Sequence, residues 1–300
     1  MSAGLEGVLA LDKPTGPTSH DMVARARRLL GQPRVGHAGT LDPPACGLLV
    51  LVLGRATRLV RFLDAEPKHY SGTFLLGRTT DTDDAAGTVV REHTGPLPSP
   101  ESVRDMASAA IGTRLQVPPT VSARRVGGKR MYRLARRGIA VEAPPAQVTV
   151  TTFSVFPCEA PGEWRFDTVV SGGTYVRALV RDLGAALGCG ACVVALRRED
   201  AGAFRAAAAA PVSGDDATDA RAWTAAVVPL ASLPLALPGL AVPDPLLARR
   251  FRAGTPVPWD EAGEGEVAVR RPDGELLGIG LLHQGVLRPR VILAEVPGLW

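Results

Sequence analysis

The sequence predicts an α+β fold, or a mixed α/β arrangement, from three observations. Apolar runs of strand length alternate with amphipathic segments of helical period, no internal repeat is present, and the final sixty residues change to short alternating runs separated by Gly-Asp turns. Gly7 to Asp12 reads as a strand, Pro14, Gly16 and Pro17 turn the chain, and Ser19 is placed to cap a helix that stops at Gly31. Leu48 to Leu53 is apolar at every position, as a strand buried on both faces must be. Arg55 to Leu63 follows as a short helix and Tyr70 to Leu76 as another strand, ahead of a turn-rich loop from Thr79 to Gly87. Ser99-Pro-Glu supplies an N-cap, a proline at the first helical position and an acid in the first turn, opening a helix to about Ile111.

A basic segment comes next, expected to be partly helical to Gly138. Gln147 to Phe156 and Trp164 to Ser171 read as a strand pair, Thr174 begins a helix running to Gly188, and Val193 to Arg197 is a strand. The Ala- and Pro-rich stretch from 205 to 240 reads as a helix plus linker, and residues 241 to 300 as a small β module.

Composition limits the function classes. At 300 residues and 46% hydrophobic, the chain can bury a large core, and about two domains is the length prior. The apolar run ending at Leu53 is far shorter than the ~20 residues of a spanning helix, and the first residues lack a basic region followed by an apolar one. Neither a membrane span nor a signal peptide is expected. The four cysteines include one C-x-x-C, Cys189 and Cys192, but no histidine lies near enough to complete a zinc site; they read as small filler entering a strand, and unpaired thiols fit a reducing cytoplasm.

The net charge of +4 is unevenly spread. Residues 239–300 hold seven arginines against eight acids, leaving the excess in the first 238 residues. Ser122 to Gly138 holds seven cations and no acid, a footprint for phosphates if it lies on one surface and otherwise a solvated face.

One carboxylate stands out. Gly36-His-Ala-Gly-Thr-Leu-Asp-Pro-Pro-Ala-Cys-Gly47 sets Asp42 among glycines and prolines directly ahead of the buried strand, where a charge is costly unless something uses it. By spacing alone an ordinary Asp-Pro turn is the simpler reading. That motif, with Gly7-Val-Leu-Ala-Leu-Asp-Lys-Pro14, Lys68-His-Tyr70, Thr80-Asp-Thr-Asp-Asp-Ala-Ala-Gly87, Gly173-Thr-Tyr-Val-Arg177 and Leu196-Arg-Arg198, resembles in content and order the TruB family of tRNA pseudouridine synthases, over about residues 7 to 204. Ala38 and Cys46 replace threonines of the family loop and Pro44 stiffens it; Val121 precedes Ser122-Ala123 where the family carries Tyr-Ser-Ala.

The resemblance implies the pseudouridine synthase fold: a mixed, largely antiparallel sheet with flanking helices over residues 1–235, an RNA-binding insertion near 118–146, and a small β-barrel-like, PUA-like RNA-binding domain over 236–300. It implies isomerisation of uridine 55 in the T-loop of tRNA, without cofactor or metal, by a cytoplasmic monomer that contacts the T-arm and needs no obligate protein partner or membrane. It further implies Asp42 as nucleophile, Arg177 as the guanidinium keeping it ionised and aimed, Asp84 orienting Arg177, and Tyr175 beside C5 of the base. Tyr70 would stack on the flipped base, Leu196 would floor the pocket, and His37 would take the base's place in the RNA stack. Lys13 has two readings, support of the site floor or contact with phosphate. Arg124, Arg125, Lys129, Arg130 and Tyr132 would grip the RNA, cations on phosphates and the ring on a base. Two other classes stay open: a glycoside or nucleoside hydrolase, for which no second acid stands beside Asp42 in sequence, and a non-catalytic RNA-binding protein.

Overall fold

The computed structural model describes residues 4–120, 143–260 and 263–293, with the backbone course of 125–126 and 129–130. In chain order its elements are β1 (Gly7–Lys13), α1 (Ser19–Leu29), β2 (Val35–His37), β3 (Cys46–Leu53), a 3-10 helix (Gly54–Phe62), β4 (Lys68–Leu76), β5 (Arg78–Thr80), β6 (Val89–Glu92), α2 (Pro100–Ala109) and β7 (Gly112–Gln116). There follow β8 (Arg125–Val126), β9 (Lys129–Arg130), β10 (Ala146–Pro157), β11 (Glu163–Val170), α3 (Val176–Ala186), β12 (Ala191–Ala201), β13 (Phe204–Arg205), α4 (Asp216–Ala225) and β14 (Val228–Pro229). The last sixty residues give β15 (Gly239–Ala241), α5 (Pro245–Arg252), β16 (Val257–Pro258), β17 (Gly265–Arg270), β18 (Leu276–His283) and β19 (Val286–Ile292).

The principal sheet runs β14-β1-β3-β12-β4-β11-β10-β7, and along that path only the β12–β3 pairing is parallel. The mixed, largely antiparallel sheet expected from the resemblance is therefore what forms. Its central strand β3 is the continuous apolar run: flanked by β1 and β12 and buried from Gly47 to Leu53, it has no face left for a polar side chain. Helices α1, α2 and α3 put their apolar stripes, Met22, Val23, Val103, Leu179 and Leu183 among them, into one core with Leu9, Leu51, Phe74 and Phe166. Against the opposite side of β3, Val50 and Val52 share a second core with Ala268, Leu276 and Ile279 of the C-terminal sheet, whose order is β15-β17-β18-β19-β16.

Local expectations are met with five differences. The cap of α1 is Thr18 rather than Ser19: Thr18 and Asp21 form a reciprocal capping box, which frees the Ser19 hydroxyl for another task. Helix α3 starts at Val176 with Tyr175 as its cap, later than the expected Thr174, and β12 extends well past Arg197 because β4 pairs with it along its length. The turn-rich loop begins as β5, paired with β6. Finally, where partial helix was expected in the basic segment, the described backbone forms the two-residue pair β8 and β9. No helix of the described residues is long and apolar enough to cross a membrane.

Candidate active site

Asp42 is delivered to the end of the principal sheet by a turn that the rest of the molecule holds at several points. Its carbonyl accepts from Ala45 N–H at 3.1 Å, closing an Asp42-Pro43-Pro44-Ala45 turn in which neither proline owes an N–H, so Pro44 is accommodated. The hydroxyl freed by the Thr18 cap reaches this loop: Ser19 Oγ donates to the Leu41 carbonyl at 2.9 Å and accepts from Leu41 N–H at 2.8 Å, one residue from Asp42. Arg198, fully buried in β12, donates through Nε to the Leu48 carbonyl at 2.7 Å and through its Nη atoms toward the carbonyls of Gly39 and Thr40 at 3.3 and 3.5 Å. Lys13, also fully buried, donates to the carbonyls of Pro14 and Pro17 at 2.8 and 3.0 Å and approaches that of Pro43 at 3.5 Å. Burial pulls its ammonium down to about 8, with Cys46 and Asp42 opposing the shift. Of its two sequence readings, the position answers to support of the site floor.

The guanidinium of Arg177 lies over Asp42. Nη2 stands 2.7 Å and Nε 2.9 Å from the same oxygen, Asp42 Oδ2. The other edge, Nη1, donates to the Thr82 carbonyl and lies 3.6 Å from Asp84 Oδ2. Arg177 is on the first turn of α3, yet only 4% exposed, which removes the reading of a solvated helix residue. Asp84 is itself fixed, its Oδ1 accepting from Thr82 Oγ1 at 2.8 Å and from Ala86 N–H at 3.1 Å. Its loop is clipped to β12 by the Ala85 N–H to Val193 carbonyl bond and the Val193 N–H to Asp83 carbonyl bond. A carboxylate so gripped loses rotational freedom, while its side chain keeps about a third of its surface open to the cleft.

That cleft, about 260 Å³, is walled by Tyr70 and Lys68 of β4, by Tyr175 and Arg177, by Leu196 and Arg198 of β12, and by Gly39 to Asp42 of the loop. Five residues singled out in sequence thus meet in one place: Asp42, Tyr70, Tyr175, Arg177 and Leu196, with Asp84 behind Arg177. His37 ends β2, half-buried, two residues ahead of Gly39 and off the cleft wall. Arg124 and Tyr132 lie outside the described residues, as do the side chains of Arg125, Lys129 and Arg130. Cys189 and Cys192 are buried free thiols, pushed up by burial, on the strand side of the fold away from the cleft wall. Of the family departures, Ala38 packs at the edge of the second core, and Cys46 Sγ stands 4.0 Å from Arg197, whose guanidinium is paired twice to Asp12 at 2.9 Å.

Four residues that hold the site received no role in the sequence reading: Ser19, Lys68, Gln116 and Arg198. Gln116, buried at the end of β7, receives Tyr175 N–H at 2.8 Å and donates to the Tyr175 carbonyl at 3.1 Å, fixing that residue's backbone from both sides. A signal existed for two of them. Lys68 with Tyr70, and Arg198 with Leu196, are spaced by two on strands and so share a face with the residue already chosen.

Comparisons with known proteins identify the fold and the family. A chain in a solved Cbf5-Nop10-Gar1 complex superposes with a TM-score of 0.68 at 26% identity, covering 92% of this chain and 78% of that one. One in an H/ACA RNP bound to a substrate RNA containing 2'-deoxyuridine gives 0.70 at 23% identity over 98% and 88%. With the mixed sheet and its cleft, the class is that of the pseudouridine synthase fold. The description "TruB family pseudouridylate synthase (N terminal domain)" matches residues 27–176, and "tRNA pseudouridylate synthase B C-terminal domain" matches 177–228. Proteins named tRNA pseudouridine synthase B are 41% identical in Gloeobacter violaceus, over 96% of this chain and 99% of that one, and 40% identical in Xanthomonas euvesicatoria, over 98% and 96%. The chain belongs to the TruB family and is an enzyme, an isomerase that makes pseudouridine.

Proposed function

We propose that this enzyme isomerises uridine 55 in the T-loop of tRNA to pseudouridine, with Asp42 as nucleophile and without cofactor. The observation that carries the reading is the cleft carboxylate Asp42, pinned by two donors of a buried arginine and facing two tyrosines and a leucine. The reaction breaks the bond from N1 to C1′, turns the base and joins C5 to C1′. Asp42 supplies the electron pair, Arg177 keeps it aimed, and Leu196 and Tyr70 hold the base while it turns. Tyr175, which walls the same cleft and has its backbone held by Gln116, assists removal of the proton from C5. A T-loop base is stacked inside folded RNA, so it must be extruded, with His37 filling its place. The basic insertion, from Arg124 to Tyr132, and the C-terminal module over 236–300 supply the grip on the T-arm, and the enzyme works as a cytoplasmic monomer.

The test is Asp42→Asn with unmodified tRNA. Single-turnover formation of pseudouridine is expected to vanish while tRNA affinity stays within about twofold, and a chelator is expected to leave the wild-type rate unchanged. Release of free uracil by the wild type would assign the carboxylate to a hydrolase instead.

A further inference from the structure

Lys68 is one of only three lysines in a chain with 31 arginines. It lies two residues before Tyr70 on β4, on the same face, about 6.6 Å further along the strand. Its side chain walls the Asp42 cleft and also borders a neighbouring cleft lined by Arg61, Asp64 and Glu66. Among the described residues its ammonium has no hydrogen-bond or ion-pair partner, although the side chain is half-buried. Opposite it is Gly39, where a Cβ would stand 3.7 Å from Nζ and 3.5 Å from Arg198 Nη1, so any larger side chain there would crowd both cations.

A half-buried ammonium beside a guanidinium already committed to carbonyls is an unfavourable arrangement without an anion. Burial pushes the Lys68 ammonium down and the Arg198 charge pushes it further, with Glu66 opposing. An arriving phosphate oxygen would oppose both effects. Resting on the reading of the Asp42 cleft as the uridine site, we propose that Lys68 binds the phosphodiester next to the extruded uridine, anchoring the RNA backbone where it passes from that cleft toward the neighbouring one. Tyr70 would then carry the base and Lys68 its flanking phosphate, two contacts set by the strand's period. This places the extruded nucleotide by its charge before any group reads the base.

The experiment uses the full chain and a T-arm RNA, with affinity measured across a salt series. Lys68→Met keeps the length and removes the charge. Affinity at low salt is expected to fall about tenfold, and the log-log salt slope to flatten by about 0.7 to 0.9, one phosphate's worth, while Lys68→Arg retains the wild-type slope. A second arm needs no protein variant. The phosphates on either side of the target uridine are replaced, one at a time, by a neutral methylphosphonate. One replacement is expected to reproduce the Lys68→Met loss with wild-type protein and to add nothing when combined with Lys68→Met. An unchanged slope in Lys68→Met, or losses that add in full for both methylphosphonates, would overturn the assignment. Product formation by the wild type on the unmodified RNA separates the two failures: a chain that forms pseudouridine but shows those results loses only the Lys68 role, whereas one that forms none loses the uridine reading itself.

Discussion

At the scale of single residues, the proposed chemistry rests on the Asp42–Arg177 pair. The arginine directs Nε and Nη2 at one carboxylate oxygen and Nη1 at Thr82 and Asp84, a fork that lysine cannot reproduce with one ammonium. Arg177→Lys is expected to lower the single-turnover rate about a hundredfold with tRNA affinity nearly unchanged, since a misaimed nucleophile costs rate and not binding. Weaker binding with an unchanged rate at saturation would make Arg177 a phosphate contact. His69, next to Tyr70 but on the other face of β4, sits between Asp167 at 2.7 Å and Asp200 at 3.3 Å. Burial disfavours its charge, yet the two carboxylates prevail and raise its pKa above the ordinary 6.5. Folding therefore favours the protonated ring. The stabilisation is fully present below the unfolded value and is lost as pH rises through the raised folded one. Thermal midpoints across that window should decline in the wild type and decline less in His69→Gln; parallel curves would show that the cluster contributes nothing.

At the scale of elements, the loop that carries Asp42, from Gly36 to Gly47, has little secondary structure and is positioned by what surrounds it. Ser19 is the clearest case, since one hydroxyl satisfies both the N–H and the carbonyl of Leu41. Ser19→Ala leaves the Leu41 N–H without an acceptor and the Leu41 carbonyl without a donor, a cost of about 1–3 kcal/mol, and loosens the residue beside Asp42. The expected outcome is a lower unfolding midpoint together with a reduced single-turnover rate; normal catalysis at normal stability would mean the loop is held elsewhere. Gly47 closes the loop where β3 meets β12. With φ of +95° and a Cβ position 2.3 Å from the Arg198 carbonyl, it admits no side chain without moving the strand that carries Leu196 and Arg198.

At the scale of the molecule, the two sheets share a core. Ile279 of β18 is fully buried in the cluster that holds Val50 and Val52 of β3, and Arg61 reaches Glu266 at 3.1 Å across the same junction. Strand β3 is thus packed on one side by the helices around the cleft and on the other by the C-terminal sheet. Ile279→Ala should cost about 3 kcal/mol and lower one cooperative transition for the whole chain. Two separated transitions, with only the later residues melting early, would show that the C-terminal sheet does not brace the catalytic strand.

The sequence by itself determined much of this enzyme. Strand β3 was legible because a run with no polar position can only be a doubly covered strand, and Asp42 stood out as a charge placed at its edge. The ordered motifs named the residues that meet in the cleft, each carried by a local pattern. What only the tertiary structure decided was which groups hold them. Thr18 took the cap expected of Ser19 because Asp21 completes the box, and Ser19 turned to a loop twenty-two residues away. Gln116, Arg198 and Lys13 act on backbone carbonyls and N–H groups, which carry no side-chain signature and come within reach only when β7, β12 and β1 are brought to the same end of the sheet. Local chemistry is written along the chain, whereas a hydrogen bond between distant segments exists only once packing has set its distance.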